Sequence, residues 1–208
     1  MPVCSPPATR LRLVALLLIL PAAAWSPAVG APARSVPDAY LPAASSGDLL
    51  PLPKEVAFGT GVFTLSPATR IVVADDATDE DMFAARELNE ELRAVGAPVL
   101  RVVPEREVSG AGGHILIGQG GSHALLRRVL GAEALVSRPE GYLLRITPSS
   151  VLVAGADRRG AFYGVQTLRQ LLRRGGGRTV PEATIRDWPD HPVRAVHILL
   201  DGASDPFH

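Results

Sequence analysis

Between about residue 50 and residue 190 the chain alternates two hydrophobic periods. In some runs apolar residues are consecutive or fall at every second position, as strands require. In others they return every three or four residues, as helices require. Arg70 to Ala74 (RIVVA), Pro98 to Val103 (PVLRVV) and His114 to Ile117 (HILI) read as strands. Glu55 to Phe58 and Val62 to Leu65 read as two short strands, with Gly59-Thr60-Gly61 as a hairpin turn between them. Tyr142 to Ile146 and Val151 to Ala154, joined by Thr147-Pro148-Ser149-Ser150, read as a second hairpin, and Thr184 to Arg186 as a last short strand.

Three segments carry the helical period. The acidic stretch Asp75 to Asp81 leads into a run in which Phe83, Leu88, Leu92 and Val95 share a face, and Gly96 stops it. Ser122 is placed to cap a helix bearing Leu125, Leu126, Val129 and Leu130, closed by Gly131. Asp157 caps a long amphipathic run with Phe162, Val165, Leu168 and Leu172 on one face; Phe162 and Tyr163 both read as core. Arg173 and Arg174 suit the negative end of that helix, and Gly175 follows. About three helices on a mixed sheet predict an α/β (α+β) sandwich.

The flanks are of another kind. Residues 1–31 read as an export signal. Arg10 and Arg12 precede an apolar run, Leu13 to Leu20, too short to span a bilayer, and small residues that include Val29 and Ala31 come after it. The expectation is a secreted, periplasmic or otherwise extracytoplasmic protein with no stable membrane span after cleavage. Cys4 lies ahead of the apolar run, where a lipid-anchoring cysteine would lie behind it, and the remainder of the chain has no thiol. Residues 32–49, rich in Pro, Ala and Ser, read as a flexible linker, and residues 50–190 as the folded domain. Val193 to Leu200 (VRAVHILL) reads as a strand buried on both faces that the last eight residues cannot cover, so residues 191–208 are expected to begin a further, truncated domain.

Formal net charge is zero over 208 residues and turns slightly acidic if Arg10 and Arg12 are removed, which disfavours nucleic acid as a partner. Gly118-Gln119-Gly120-Gly121 lies between a strand and a helix, where backbone N–H groups could cradle a phosphate. The G-x-G-x-x-G pattern fails at His123, and the segment reads as a tight turn. No H-E-x-x-H occurs; His114, His123, His191, His197 and His208 form no i, i+4 pair, and no G-x-S-x-G elbow is present. Neither a metal nor a cofactor is expected.

Four motifs carry a resemblance to family 20 glycoside hydrolases. Leu50-Pro51-Leu52-Pro53-Lys54 with Phe58-Gly59 resembles the opening of that family's second domain, and Glu140-Gly141-Tyr142-Leu143-Leu144 its E-x-Y-x-L strand. The run from Gly155 to Leu171, with G-A-F-Y-G-V-Q-T-L inside it, resembles its most recognisable helix. Ile185-Arg186-Asp187-Trp188-Pro189-Asp190 with Pro192-Val193-Arg194 after it resembles the junction leading out of that domain. The resemblance implies a zincin-like, non-catalytic domain ahead of a (β/α)8 barrel. In the family that barrel releases terminal N-acetylglucosamine or N-acetylgalactosamine by a substrate-assisted mechanism, an exception to the two-carboxylate scheme. It implies a catalytic Asp-Glu pair beyond His208, so no residue here inherits a catalytic role and the chain alone is expected to be inactive. Arg194 matches a sugar-contacting arginine, for which a guanidinium offers a fixed fork of donors. Ala195 in place of glycine, and Asp201 two residues late, depart from the pattern, and a structural salt bridge is the other reading of Arg194. Trp188 either stacks on a sugar or packs at the junction. The partners implied are the barrel and, through it, N-acetylhexosamine-containing glycans. The alternative is a stand-alone secreted module that binds glycans or another protein.

Overall fold

A computed structural model describes residues 49–131 and 135–195. Seven strands form one mixed sheet: β1 (Glu55–Thr64), β2 (Arg70–Val73), β3 (Arg101–Pro104), β4 (Ile115–Gln119), β5 (Tyr142–Thr147), β6 (Ser150–Gly155) and β7 (Thr179–Asp187). Their spatial order is β1-β7-β5-β6-β4-β2-β3. Three α-helices interrupt them: α1 (Asp79–Ala94), α2 (Ala124–Leu130) and α3 (Arg158–Arg174).

Connection length fixes strand direction. The two residues between β5 and β6 allow only an antiparallel hairpin, and the pair runs from Tyr142 opposite Gly155 to Thr147 opposite Ser150. The pairs β2/β3, β2/β4 and β4/β6 are parallel, as crossovers through helices require. The alternation along each strand then sorts side chains onto two faces. Ile71, Val73, Ile115, Ile117, Val151 and Val153 meet α1 and α3 in one core, while Val72, Leu116, Leu152 and Leu143 meet Leu125, Leu126 and Leu130 of α2 in another. The result is the expected α/β sandwich, and its first core extends to Leu49, 1% exposed.

Local chemistry sets the helix ends. Thr78 and Asp81 form a reciprocal capping box at the start of α1. Asp157 caps α3, accepting the N–H of Gly160 at 2.8 Å, and Gly175 closes it. At α2 the cap is His123 rather than the predicted Ser122, because the His123 ring folds back toward the Leu126 N–H.

Further expectations are corrected. Glu55 to Leu65 does not form a hairpin. It is one strand, β1, that passes Gly59-Thr60-Gly61 as a bulge and pairs with β7. The bulge makes room for Glu182, which accepts the Gly61 N–H at 2.8 Å and lies where a Cβ on Gly59 would fall, 2.3 Å from its Oε2. β7 is itself nine residues long rather than three; its Pro181, with no N–H to give a ladder, sits at that bulge. In α1 the buried stripe is Ala84, Ala85, Leu88 and Leu92; Phe83 is 46% exposed and stacks on Phe162 with ring centroids 5.7 Å apart. Of the predicted strand Val193–Leu200, residues 193–195 are not strand and the rest lie outside the described residues, as do residues 1–48 with the expected signal and most of the linker.

Candidate functional site at the exit of the sandwich

The chain leaves the sheet at the end of β7, and there the structure forms a cleft of ≈ 260 Å³. Its walls come from four places: residues 51–54 before β1, the turn into β5 at Glu140, the first turns of α3 at Tyr163, and the segment from Asp187 to Arg194. The opening motif and the junction motif are therefore neighbours in space although more than 130 residues separate them. Lys54 joins them, its N–H donating to Asp187 Oδ1 at 3.2 Å and its Nζ to Asp190 Oδ1 at 2.5 Å.

Burial pushes the Asp187 carboxyl above its ordinary range, against hydrogen bonds from the Lys54 and Trp188 backbone. Asp190, beside the Lys54 ammonium, is held below it. Tyr142 forms the floor: its hydroxyl shares a 2.7 Å hydrogen bond with Thr167 on α3, and burial pushes its acidity far from neutral pH. Trp188 is half-buried at the junction, with the Arg138 guanidinium 5.0 Å above its ring.

Arg194 is at the mouth. It hydrogen-bonds the Glu140 carboxylate, donates from Nη1 to the His191 carbonyl at 2.9 Å, and lies 3.4 Å from the Tyr163 hydroxyl. Its side chain remains 47% exposed. Two residues to which the sequence reading gave no site role, Glu140 and Tyr163, thus line the cleft. Glu140 carries no local signal for an ion pair 54 positions away. Tyr163, read as core, is 37% exposed because it lies beside the buried stripe of α3.

The glycine-rich segment has a different role from anion binding. The N–H groups of Ala124 and Leu125, where a phosphate would sit, donate at 3.2 and 2.5 Å to the carboxylate of Glu105. Burial pushes that carboxyl up, but the Leu125 and Ala124 backbone bonds and His123 outweigh it and leave it below the usual range. Gly118 and Gly120 are small because the His123 ring and Leu135 pack on them. Among the described residues no three His, Cys, Asp or Glu side chains converge as metal ligands would, and His197 and His208 lie outside those residues.

Comparison with known proteins places this geometry. The sequence profile of glycosyl hydrolase family 20, domain 2, matches residues 47–188. A β-hexosaminidase of Porphyromonas gingivalis is 30% identical over 125 residues, which is 60% of this chain and 14% of that protein. The solved β-N-acetylhexosaminidase of Streptomyces coelicolor is 25% identical with a TM-score of 0.51, over 72% of this chain and 28% of its own. The N-acetyl-β-hexosaminidase of Streptomyces plicatus is 26% identical with a TM-score of 0.50, over 70% and 27%. The chain thus spans less than a third of each of these relatives. Through a domain that takes in its whole sheet, this chain belongs to glycoside hydrolase family 20.

Proposed function

We propose that the sandwich is the supporting, non-catalytic domain of an exported β-N-acetylhexosaminidase. In this reading a (β/α)8 barrel releases terminal N-acetylhexosamine, with the substrate's own acetamido oxygen as nucleophile. The observation that carries the reading is the family match over residues 47–188, which contains all seven strands. The use of the motif residues supports a structural role. Asp157 caps α3, Tyr142 bonds Thr167, and Gly160 and Gly164 admit close packing against Gly141 and Tyr142. Arg194, at the exit, is the residue of this chain proposed to meet sugar hydroxyls. Export rests on the charge and apolar pattern of residues 1–31.

The test compares two proteins on 4-nitrophenyl N-acetyl-β-D-glucosaminide and its galactosaminide counterpart. The full-length gene product should hydrolyse at least one of them, and the 208-residue chain neither. Turnover by the 208 residues alone, or none by the full-length product, would overturn the proposal. Glycan binding by an inactive full-length product would favour the stand-alone module. N-terminal sequencing of the protein recovered outside the inner membrane should begin near residue 32; an uncleaved chain in the cytoplasm would count against export.

A further inference from the structure

The two longer helices lie side by side and run in the same direction. Glu80 pairs with Arg158 in their first turns, Phe83 stacks on Phe162 in their second, and Glu91 pairs with Arg173 near their ends. Charges are thus matched toward the C-terminal ends, whereas the second turns carry aromatic rings. Phe162 also meets Tyr163 edge-on, with centroids 5.7 Å apart, so Phe83, Phe162 and Tyr163 form one row across both helices. Phe83 and Tyr163 are exposed, and so is Leu52, which shares the wall of the exit cleft with Tyr163. Single exposed apolar side chains are ordinary on a protein surface; a contiguous set marks a contact. The helix on the other face of the sheet differs, for α2 exposes Ala124, Arg127 and Arg128.

The chain leaves the sandwich next to this row. Residues from Asp187 to Arg194 line the same cleft as Leu52 and Tyr163, and Arg194 is held there by its ion pair with Glu140 and its 3.4 Å contact with the Tyr163 hydroxyl. A domain tethered at that point meets the row at an effective concentration on the order of millimolar, which a free partner seldom reaches. The chain spans less than a third of the family 20 relatives compared above, so such a domain has room to follow. We propose that the row Leu52, Tyr163, Phe162 and Phe83 is the surface on which the domain after the sandwich docks, while the α2 face stays in solvent. Arg86, 5.8 Å from the Phe83 ring, makes one edge cationic, so the docked surface should be apolar with carboxylates at that edge. The inference rests on the reading of the full-length protein as a sandwich followed by a barrel, and adds which face the barrel covers.

The experiment introduces one cysteine at a time into the full-length gene product: L52C and F83C on the row, and R128C on α2. Each variant is labelled with a maleimide in native buffer and in urea, and the rate at each site is read by peptide mass spectrometry. Sedimentation and hydrolysis of the two chromogenic substrates are measured on the same samples. All three positions are exposed on the sandwich, so slow labelling requires a cover. Relative to its rate in urea, R128C should label freely, and L52C and F83C should be slowed about tenfold or more, because a docked interface excludes reagent as it excludes water. If F83C loses its fold with its ring, L52C decides. Equal labelling at the three sites, or protection at R128C alone, would overturn the docking surface. So would protection that vanishes on dilution of a dimer, which assigns the row to a second copy, or protection that needs an added N-acetylhexosamine oligosaccharide, which assigns it to glycan. A protected row in a protein that hydrolyses neither substrate would remove the hexosaminidase reading and leave the docking surface standing; a free row in an active enzyme would do the reverse.

Discussion

Arg173, in the last turn of α3, donates to both carboxylate oxygens of Glu91 on α1, Nε to Oε1 at 2.8 Å and Nη2 to Oε2 at 2.7 Å. The Glu91 side chain is 1% exposed, and Arg169 reaches the same carboxylate at 3.4 Å while donating to Glu87 at 2.5 Å. The arrangement joins the two helices that cover the larger core.

Its two ends should not be equivalent. Arg173 is largely exposed and can return to water, whereas Glu91 cannot. R173A should therefore leave the buried carboxylate with Arg169 as its remaining partner and lower stability. E91M removes the buried charge and should cost less, because apolar replacement of a buried ionic group is often near neutral. Urea denaturation of the 208-residue chain measures both, and an equal or reversed order would contradict the account.

The two faces of α1 make a second prediction. Leu88 is fully buried against the sheet, and L88A should destabilise by about 2–5 kcal/mol. Phe83 lies on the outer surface, and F83A in the same chain should cost about 1 kcal/mol, the worth of its stacking on Phe162. A larger effect at Phe83 would restore the face assignment that periodicity suggested.

The motif glycines should separate by contact. A Cβ at Gly155 would fall 2.2 Å from the Ala161 backbone nitrogen, and one at Gly160 2.0 Å from the Gly141 carbonyl oxygen. Backbone cannot step aside as a side chain tip can, so G155A and G160A should each cost about 3 kcal/mol or fail to fold. At Gly110 a Cβ meets nothing within 4 Å, and G110A should be neutral or slightly stabilising. Soluble yield and thermal melting distinguish these cases.

Stability should fall in two stages with acid. Burial, and after it the nearby Arg70, pushes His114 below its ordinary value of 6.5 against a backbone hydrogen bond with Gly113. The fold prefers this ring neutral, so its contribution is present above about pH 6.5 and lost as pH falls from there through the lower folded value. Glu91, Glu105 and Glu140 are all held below the ordinary 4.5; their contributions are present above that pH and lost beneath it. Melting temperature measured from pH 8 to pH 3 should be flat at first, then decline in both ranges. H114L should remove the upper decline and leave the lower one; a single acid transition unaffected by H114L would be inconsistent with a half-buried ring kept neutral by the fold.

Much of the sandwich was written in local pattern. RIVVA, HILI and the Tyr142–Gly155 hairpin are strands because consecutive or alternating apolar side chains fit a sheet covered on one or both faces. Asp157 and Gly131 mark helix ends because their preferences concern only neighbouring backbone groups. The family, too, was legible, since its motifs are contiguous runs such as G-A-F-Y-G-V-Q-T-L. Tertiary structure decided the rest. Whether Gly59-Thr60-Gly61 turns or bulges depends on β7, about 120 residues away, and on the Glu182 side chain that fills the space. Which aromatic of α1 or α3 is core depends on where the other helix lies. The cleft is the clearest case: Lys54 meets Asp190, and Glu140 meets Arg194, only once β1, β5 and β7 stand side by side. Sequence specifies what each short segment prefers; Coulomb and contact forces act between groups that the chain order keeps far apart, so the fold alone sets which of them meet.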